Sequence, residues 1–467
     1  MRDKSGNPLA GLIGGFPEQL FVIVRWMISA QLWKQALAAM LLAPLVGFLA
    51  FDLQLFPQTA KALNTVTQTF GTAFLTVINL LVPPVVAFSV FVGIVSNTDL
   101  GAVRRIGLTA ITTYACTTVL AVAVGTVLAT ILMPLATAMV EPRLIAATLA
   151  SAGDLPLSDG PPSALAIFAE AMPQGNLINP FLDGNLLQII TIAVAVGIGT
   201  MAILNMADGV IVEGARSAVQ IAEYGMGLFL RLLSWAMILV PFATFGFMFD
   251  AIVKQQSVTA MFAIIGFALV IFLGLLTLMT LYAAAMKLMK KMTLRQIARA
   301  AREPLLVTFS TASSSVAMPY TMKAAEEHFG VAPQIARTTV PLGATVNMDG
   351  TSVYQVMALV FLISLFGEVA SVTVTIETLA SIALLVVLYS IGTPGVPGGS
   401  VKVIQDVLTM FGIPPSVIGI ILPMDRLLDM SRSAVNVSGD LFTAGVTDRL
   451  CRPSVEATRY NSGPLKD

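Results

Sequence analysis

Apolar residues run along this chain in long blocks separated by short polar stretches. Blocks near 35–53, 67–96, 103–138, 186–206, 219–253 and 258–286 each hold the roughly 20 apolar residues that a membrane-spanning helix needs. Two further stretches, 304–366 and 372–449, are apolar but interrupted by polar residues. A transmembrane β-barrel would read as alternating segments of roughly 10 residues; the unbroken runs at 263–285 and 378–391 exclude it. Several early blocks exceed the length that crosses a hydrocarbon core at about 1.5 Å per residue, so they must slant or project beyond it. The pattern predicts an all-α polytopic membrane protein built from long tilted helices.

Composition agrees. Of 467 residues, 56% are hydrophobic and only 11% are charged, against about 25% charged in soluble domains. Mean hydropathy is +0.86 over the whole length. The 26 basic and 26 acidic residues cancel, which excludes nucleic acid as a partner on charge grounds. Cys116 and Cys451 lie far apart, the first within an apolar run, so no disulfide framework is expected. Residues 1–34 read as an N-terminal interfacial segment. Trp26 and Trp33 share a helical face beside Arg25 and Lys34, as in a helix lying among headgroups; a disordered lead-in is the alternative. Pro17, Glu18 and Arg25 interrupt its apolar run, and no cleavage site follows, which argues against a secretory signal. Residues 140–185, rich in Pro, Gly and Asp, read as a long surface loop.

Lys and Arg are distributed unevenly between the loops. Arg104, Arg105, Lys287, Lys290, Lys291, Arg295, Arg299, Arg302, Arg449, Arg452, Arg459 and Lys466 fall on one side, against Lys61, Arg143 and Lys254 on the other. The positive-inside rule puts the basic loops and the tail, 450–467, in the cytoplasm of a multi-pass protein of the cell (inner) membrane. Topology alone explains the basic run 287–302, although anionic lipid would also bind such a run.

The last third carries the chemistry. Thr308-Phe309-Ser310-Thr311-Ala312-Ser313-Ser314-Ser315 and Ser390-Ile391-Gly392-Thr393-Pro394-Gly395-Val396-Pro397-Gly398-Gly399-Ser400 both lie between apolar arms. Irregular backbone cannot face lipid, so these tracts fit the tips of two helical hairpins, near 294–329 and 372–410, that enter the membrane and turn back. Matching broken segments are the mark of an inverted repeat around a midplane site. Between them, Gly343-Ala344-Thr345-Val346-Asn347-Met348-Asp349-Gly350-Thr351 reads as an unwound stretch whose carbonyls and carboxylate suit a hard cation. A cap between two shorter helices is the plainer reading.

In the final span, Asp425, Asp429, Arg432, Asn436 and Asp440 fall within an arc of about 80° on an ideal helix. The four charges among them cost roughly 10–14 kcal/mol to insert unpaired. Asp349, Asp425, Asp429 and Asp440 against Arg432 leave a net charge of −3, an excess that requires cations. Arg426 points about 100° away from Asp425 and is read as lying near the helix end. Tyr114, Thr117 and Thr118 form a weaker oxygen-bearing patch in the third span.

Together these residues resemble the glutamate/aspartate transporter family, the dicarboxylate and amino acid:cation symporters. The resemblance covers essentially the whole chain, including Asn179-Pro180-Phe181 and Asn185-Leu186-Leu187-Gln188 before the fourth span. Its motifs are the serines at 313–315, Asn347 to Thr351, Gly392 to Gly398, and Asp425 to Asp440. The resemblance implies eight transmembrane helices plus two re-entrant hairpins, assembled as a homotrimer. A static scaffold would comprise 35–100 and 140–257, and an elevator-like transport region 101–139 and 258–449. The function implied is sodium-coupled uptake of a small acidic amino acid, without enzymatic activity. Arg432 would hold the substrate side-chain carboxylate, with Thr351 nearby, and Asp429 its amine. Asn436, Ser314 and the tips around Ser313, Ser315, Val396, Pro397 and Gly398 would take the main-chain carboxylate; Ser433 stands where the family often has threonine. Sodium would fall to Gly343, Asn347, Asn436 and Asp440; to Thr345, Ser390, Ile391 and Thr393; and to Tyr114, Thr117, Thr118, Asn347 and Asp349.

Relatives often place an arginine where this chain has Ala312 or Met430. Potassium counter-transport is therefore left open, with Arg426 as a partial replacement for that cation beside Asp425. Pro394 stiffens the second tip. A C4-dicarboxylate carrier, which resembles this pattern with a neutral residue at the Asp429 position, and a proton-coupled glutamate carrier are the alternatives within the family. An intramembrane aspartyl protease using Asp349 and Asp429 would have no use for Arg432 or the hairpin tips. A channel would instead need a lined pore. His328, the only histidine, is read as a surface residue beyond Pro319.

Overall fold

A computed structural model describes residues 32–95, 102–150, 160–206, 209–256, 258, 260–390 and 398–461. The interfacial segment with Trp26 lies outside these residues, apart from the first turn of the opening helix, and so does the second tip from Ile391 to Pro397. Every element among the described residues is helical. The first part comprises α1 (Leu32–Gly47), α2 (Pro57–Val95), α3 (Ala102–Thr137), α4 (Pro142–Ala150), α5 (Ala164–Ala171), α6 (Asn179–Asp183), α7 (Leu186–Leu204), α8 (Val210–Ala236) and α9 (Val240–Gln255). The second comprises α10 (Ala260–Lys290), α11 (Leu294–Thr311), α12 (Ser314–Lys323), α13 (Pro333–Val346), α14 (Asp349–Phe366), α15 (Ile376–Ser390), α16 (Gly399–Met410) and α17 (Leu422–Asn461).

Seven helical stretches among the described residues are long and apolar enough to cross a membrane: Lys34–Asp52, Pro57–Val95, Arg105–Thr137, Leu186–Leu204, Val210–Gln255, Met261–Lys290 and Pro333–Ala370. Helix α2 runs for 39 residues and α3 for 36, well beyond a hydrocarbon core of about 30 Å at about 1.5 Å per residue. Large apolar side chains such as Leu41, Leu80, Ile131 and Leu269 are exposed along these helices, as surfaces in lipid require.

The stretch 140–185 departs from the expectation of a plain surface loop. It holds α4, α5 and α6, and Leu144 and Ile167 are buried in the core. Its breakers sit where helices tolerate them: Pro142 begins α4, Pro180 lies at the start of α6, and the Ser163 hydroxyl accepts from Ala166 N to cap α5. Asn185, singled out in the sequence, is the N-cap of α7, its Oδ1 accepting from Gln188 N at 3.2 Å.

Helix α14 is the buried axis, with every residue from Asp349 to Ile363 shielded. It packs along α3 and meets α17, α15 and α10. Helices α11 and α12 pack against each other about a sharp turn. Thr293 opens α11 with a reciprocal capping box to Gln296, Ala312 closes it in a left-handed conformation (φ 53°), and Ser313 caps α12. Between α13 and α14 only Asn347 and Met348 leave the helix, so the unwound stretch is shorter than its polar composition implied.

Candidate functional site

Two polar clusters lie along one face of α17. In the first, Arg432 is 1% exposed. Its Nη1 donates to Asp425 Oδ1 at 3.1 Å, its Nε donates to Asp429 Oδ1 at 3.1 Å, and its Nη2 lies 2.8 Å from that same oxygen. Helical spacing brings these partners together, since Asp429 is one turn and Asp425 two turns before Arg432. The guanidinium lies over the Tyr354 ring, with Cζ 4.4 Å from the centroid, and the Tyr354 hydroxyl donates to Asp425 Oδ1 at 2.9 Å.

Arg426 belongs to this cluster, which corrects the sequence reading. It is 6% exposed, and its Nη1 donates to Asp429 Oδ2 at 3.4 Å. An arginine has a long stem that reaches sideways around a helix, so its ideal direction did not decide its partner. That partner is Asp429, and Asp425 pairs with Arg432 instead. Counting Arg426, the four buried acids and two arginines leave a formal −2 rather than −3.

The second cluster gathers oxygens. Asn347 Nδ2 donates to Asp440 Oδ1 at 3.0 Å and to the Asn436 carbonyl at 3.2 Å. Asn436 Oδ1 in turn accepts from Gly350 N and Thr351 N, at 2.8 and 3.3 Å. Asp349 accepts from Tyr282 Oη at 2.6 Å and from Thr118 Oγ1 at 3.2 Å. Tyr114 Oη donates to the Thr339 carbonyl at 2.9 Å, and Thr117 Oγ1 to the Tyr114 carbonyl at 3.0 Å. Gly343 allows this convergence, because a Cβ there would collide with Asp440 Oδ1 and Tyr114 Oη. Gly439 does the same for Asn347 Nδ2 and Asp349 Oδ2, 2.6 and 2.8 Å from its would-be Cβ. Asn347 Oδ1 is buried with no hydrogen-bond partner. A buried acceptor left open costs about 1–3 kcal/mol. Beside the Asp440 carboxylate it forms part of an oxygen set suited to a hard cation.

The remaining candidates are spread around these clusters. Ser314 Oγ donates to the Ala344 carbonyl at 3.3 Å, tying the first tip to α13, while Ser313 caps α12 and Ser315 is exposed. Thr351 Oγ1 accepts from Asn436 Nδ2 at 3.3 Å, and Ser433 is buried on α17. Thr345 Oγ1 donates to the Leu342 carbonyl, and Ser390 is buried with its hydroxyl unpartnered. Ile391, Thr393, Val396 and Pro397 lie outside the described residues. Gly398 caps α16 at φ +84°, where a Cβ would come within 2.7 Å of Ile78 Cδ1 on α2. A cavity of about 20 Å³ lies between this glycine, Phe74, Thr244 and the pair Asp425 and Asp429. It has room for about one water, so an amino acid enters only if neighbouring groups move.

Tyr282, Tyr354 and Gly439 were not among the residues the sequence put forward for the site, and Arg426 was put forward only as a partner for Asp425. The two tyrosines did carry a signal, since a phenol inside a membrane-length apolar run needs a partner for its hydroxyl.

The sequence model of the Sodium:dicarboxylate symporter family matches residues 32–450. The chain is 28% identical over 278 residues to the putative sodium-dependent excitatory amino acid transporter glt-4 of Caenorhabditis elegans, covering 59% of this chain and 53% of that protein. It is 39% identical over 157 residues to the neutral amino acid transporter B(0) of Mus musculus, covering 33% of this chain and 28% of that one. Similarity to the proton/sodium-glutamate symport protein of Geobacillus stearothermophilus is 27% over 380 residues, or 81% and 86% of the two chains. The chain thus spans about half the length of the nematode relative and less of the mouse one.

Proposed function

The chain belongs to the Sodium:dicarboxylate symporter family, and from that premise we propose that it is a sodium-coupled symporter of acidic amino acids. The observation that carries this reading is Arg432, buried between Asp425 and Asp429 and adjoining an oxygen cluster with an open acceptor on Asn347. In the empty carrier the two acids and two arginines of the first cluster neutralise one another. An incoming aspartate or glutamate exchanges these pairings for its own. Its side-chain carboxylate takes Arg432 as a planar two-point partner, near Thr351. Its ammonium takes Asp429, and its main-chain carboxylate lies toward Asn436, Ser314 and the two tips.

Sodium then balances the remaining charge. Asp440, Asn347, Asn436 and backbone near Gly343 hold one ion. Asp349, with Tyr114, Thr117, Thr118 and Asn347, holds a second. Backbone at Thr345 and around Ser390, Ile391 and Thr393 holds a third. Helix α17 is the eighth span, and α11–α12 and α15–α16 are the two re-entrant hairpins of an inverted repeat. The region 101–139 with 258–449 moves as an elevator against 35–100 and 140–257 in a homotrimer, with the C-terminus in the cytoplasm.

Coupling to protons is the second reading, supported by the similarity to the proton/sodium-glutamate symport protein of Geobacillus stearothermophilus, whose name includes both cations. Uptake of labelled aspartate, glutamate and succinate into proteoliposomes, with sodium and proton gradients imposed separately, tests both. Sodium-driven uptake of aspartate or glutamate is the expected result. Uptake driven only by a proton gradient, or preference for succinate, overturns the sodium or the amino-acid part respectively.

A further inference from the structure

Away from the transport site, the far ends of α10 and α17 enclose a second cavity, of about 490 Å³, lined by Met289, Lys290, Phe329, Asp448, Arg449 and Arg452 among others. We propose that this cavity binds the phosphate of an anionic lipid headgroup. Its charge is the first argument. Asp448 accepts from Lys290 Nζ at 2.8 Å, from Arg452 Nη2 at 2.9 Å and from the Ala332 N–H at 3.0 Å, so the single acid is fully engaged. Three cations against it leave a formal +2, and Arg449, exposed on the rim, has no acidic partner among the described residues.

The arrangement is built in. Gly445, Asp448, Arg449 and Arg452 share one face of α17. The missing side chain at Gly445 makes room for Met286 of α10, whose Sδ would lie 2.9 Å from a Cβ there, so that α10 and its Lys290 stem come close against α17. Arg452 also donates to the Gly330 carbonyl, closing the far wall.

Depth is the second argument. Lys290 is the last residue of the apolar span Met261–Lys290, so the cavity opens where that span leaves the hydrocarbon. Met289 and Phe329 add apolar wall beside these cations. A ligand here meets cations beside apolar wall at the edge of an apolar span, a combination that matches a phospholipid rather than a soluble anion. Basic pockets between spans at headgroup level recognise lipid phosphates in this way.

The test uses the full-length protein, purified and delipidated in detergent, with phosphatidylglycerol or phosphatidylcholine titrated in and retained lipid counted by native mass spectrometry. Preferential retention of one phosphatidylglycerol is expected. Arg449→Gln should weaken it about fivefold and Arg449→Glu about twenty-five-fold, at the energy usual for a basic residue near an anionic surface. Arg449→Lys should keep most of it, and Arg295→Gln, an exposed cation outside the cavity, all of it. Equal loss in Arg295→Gln and Arg449→Gln overturns the site in favour of diffuse attraction. Displacement by free glycerol phosphate at the same concentration as the lipid assigns a soluble anion instead and overturns the lipid. Unchanged retention in a monodisperse Arg449→Glu protein overturns both.

Discussion

Arg432 rests on the face of Tyr354, and the hydroxyl of that tyrosine donates to Asp425, one of the two acids that hold the guanidinium. One side chain from α14 thus both supports the proposed substrate-binding cation and orients its counter-ion. Tyr354→Phe removes only the hydroxyl and should weaken aspartate binding roughly tenfold to a hundredfold, about the value of a hydrogen bond to a charged group. Tyr354→Leu also removes the ring, and a desolvated cation–π contact is worth about 2 kcal/mol, so a further loss of roughly thirtyfold beyond the Phe variant is expected. Substrate titration of both variants by calorimetry separates the two contributions. Equal affinities for Phe and Leu would remove the ring from the account.

Arg432 is expected to select the acidic side chain. An apolar substrate would leave its charge unpaired, whereas a carboxylate satisfies it. Arg432→Cys or Arg432→Thr should largely abolish aspartate uptake and admit serine or alanine. On the proposed reading Asp429 takes the amine. Succinate, which lacks that amine, should compete at least a hundredfold less well than aspartate, in line with the 3–5 kcal/mol typical of breaking a buried charge pair. Near-normal aspartate affinity in the Arg432 variants, or equal competition by succinate, would reassign those residues.

The stripe from Asp425 to Asp440 is legible in sequence because helical spacing alone places it on one face. The turn between α11 and α12 is legible only in part: the serines mark its place, whereas Ala312, at φ 53°, carries no glycine signal for a left-handed residue. Less is visible wherever two elements distant in sequence must meet. Tyr282 reaches Asp349 only because α10 packs across α14, and nothing in the run 263–285 announces that crossing. Gly343 reads as one small residue among several until Asp440 and Tyr114 are seen to occupy the place of its side chain. Arg426 lies near the helix start as read, but its partner Asp429 was missed because an ideal helix gives the direction of a Cβ, while the guanidinium lies several bonds beyond. The helices within 140–185 were hidden because prolines read as breakers also begin helices.

Gly343→Ala tests the close convergence directly. Within a helix, alanine is intrinsically favoured over glycine by about 1 kcal/mol, so helix content should hold. The added methyl would displace Asp440 or Tyr114, and sodium-dependent stabilisation should be lost while circular dichroism stays unchanged. A variant with wild-type sodium response would show that these two side chains can part without consequence.

Tyr282→Phe removes a donor from a buried carboxylate and leaves Asp349 with Thr118. Stability without sodium should fall by about 1.5–3 kcal/mol, the range for hydrogen bonds to charged groups. If sodium binds at Asp349, saturating ion restores part of this loss through linkage. The melting-temperature deficit should therefore be larger in sodium-free buffer than in saturating sodium. An equal deficit in both would place the ion away from Asp349.

Coupling gives the final prediction, through the charge count. The site carries a formal −2 once Arg426 is included, and a bound aspartate or glutamate brings it to −3. A dehydrated membrane interior does not tolerate that excess, so on the proposed reading two or three sodium ions enter with the substrate, and substrate affinity should rise steeply with sodium. Asp440 is the proposed ligand on which this depends most, because Asn347 is hydrogen-bonded to it and presents its own open oxygen in the same cluster. Asp440→Asn preserves size and hydrogen bonding but removes one charge. It should weaken sodium binding and, by reciprocal linkage, weaken substrate binding at fixed sodium. Plotted as log affinity against log sodium, the wild-type line should be steep, and the variant line should be shallower by up to one ion. A flat wild-type line, with uptake following an imposed pH gradient, would mean that protons balance the charge and that Asp440 is not a sodium ligand.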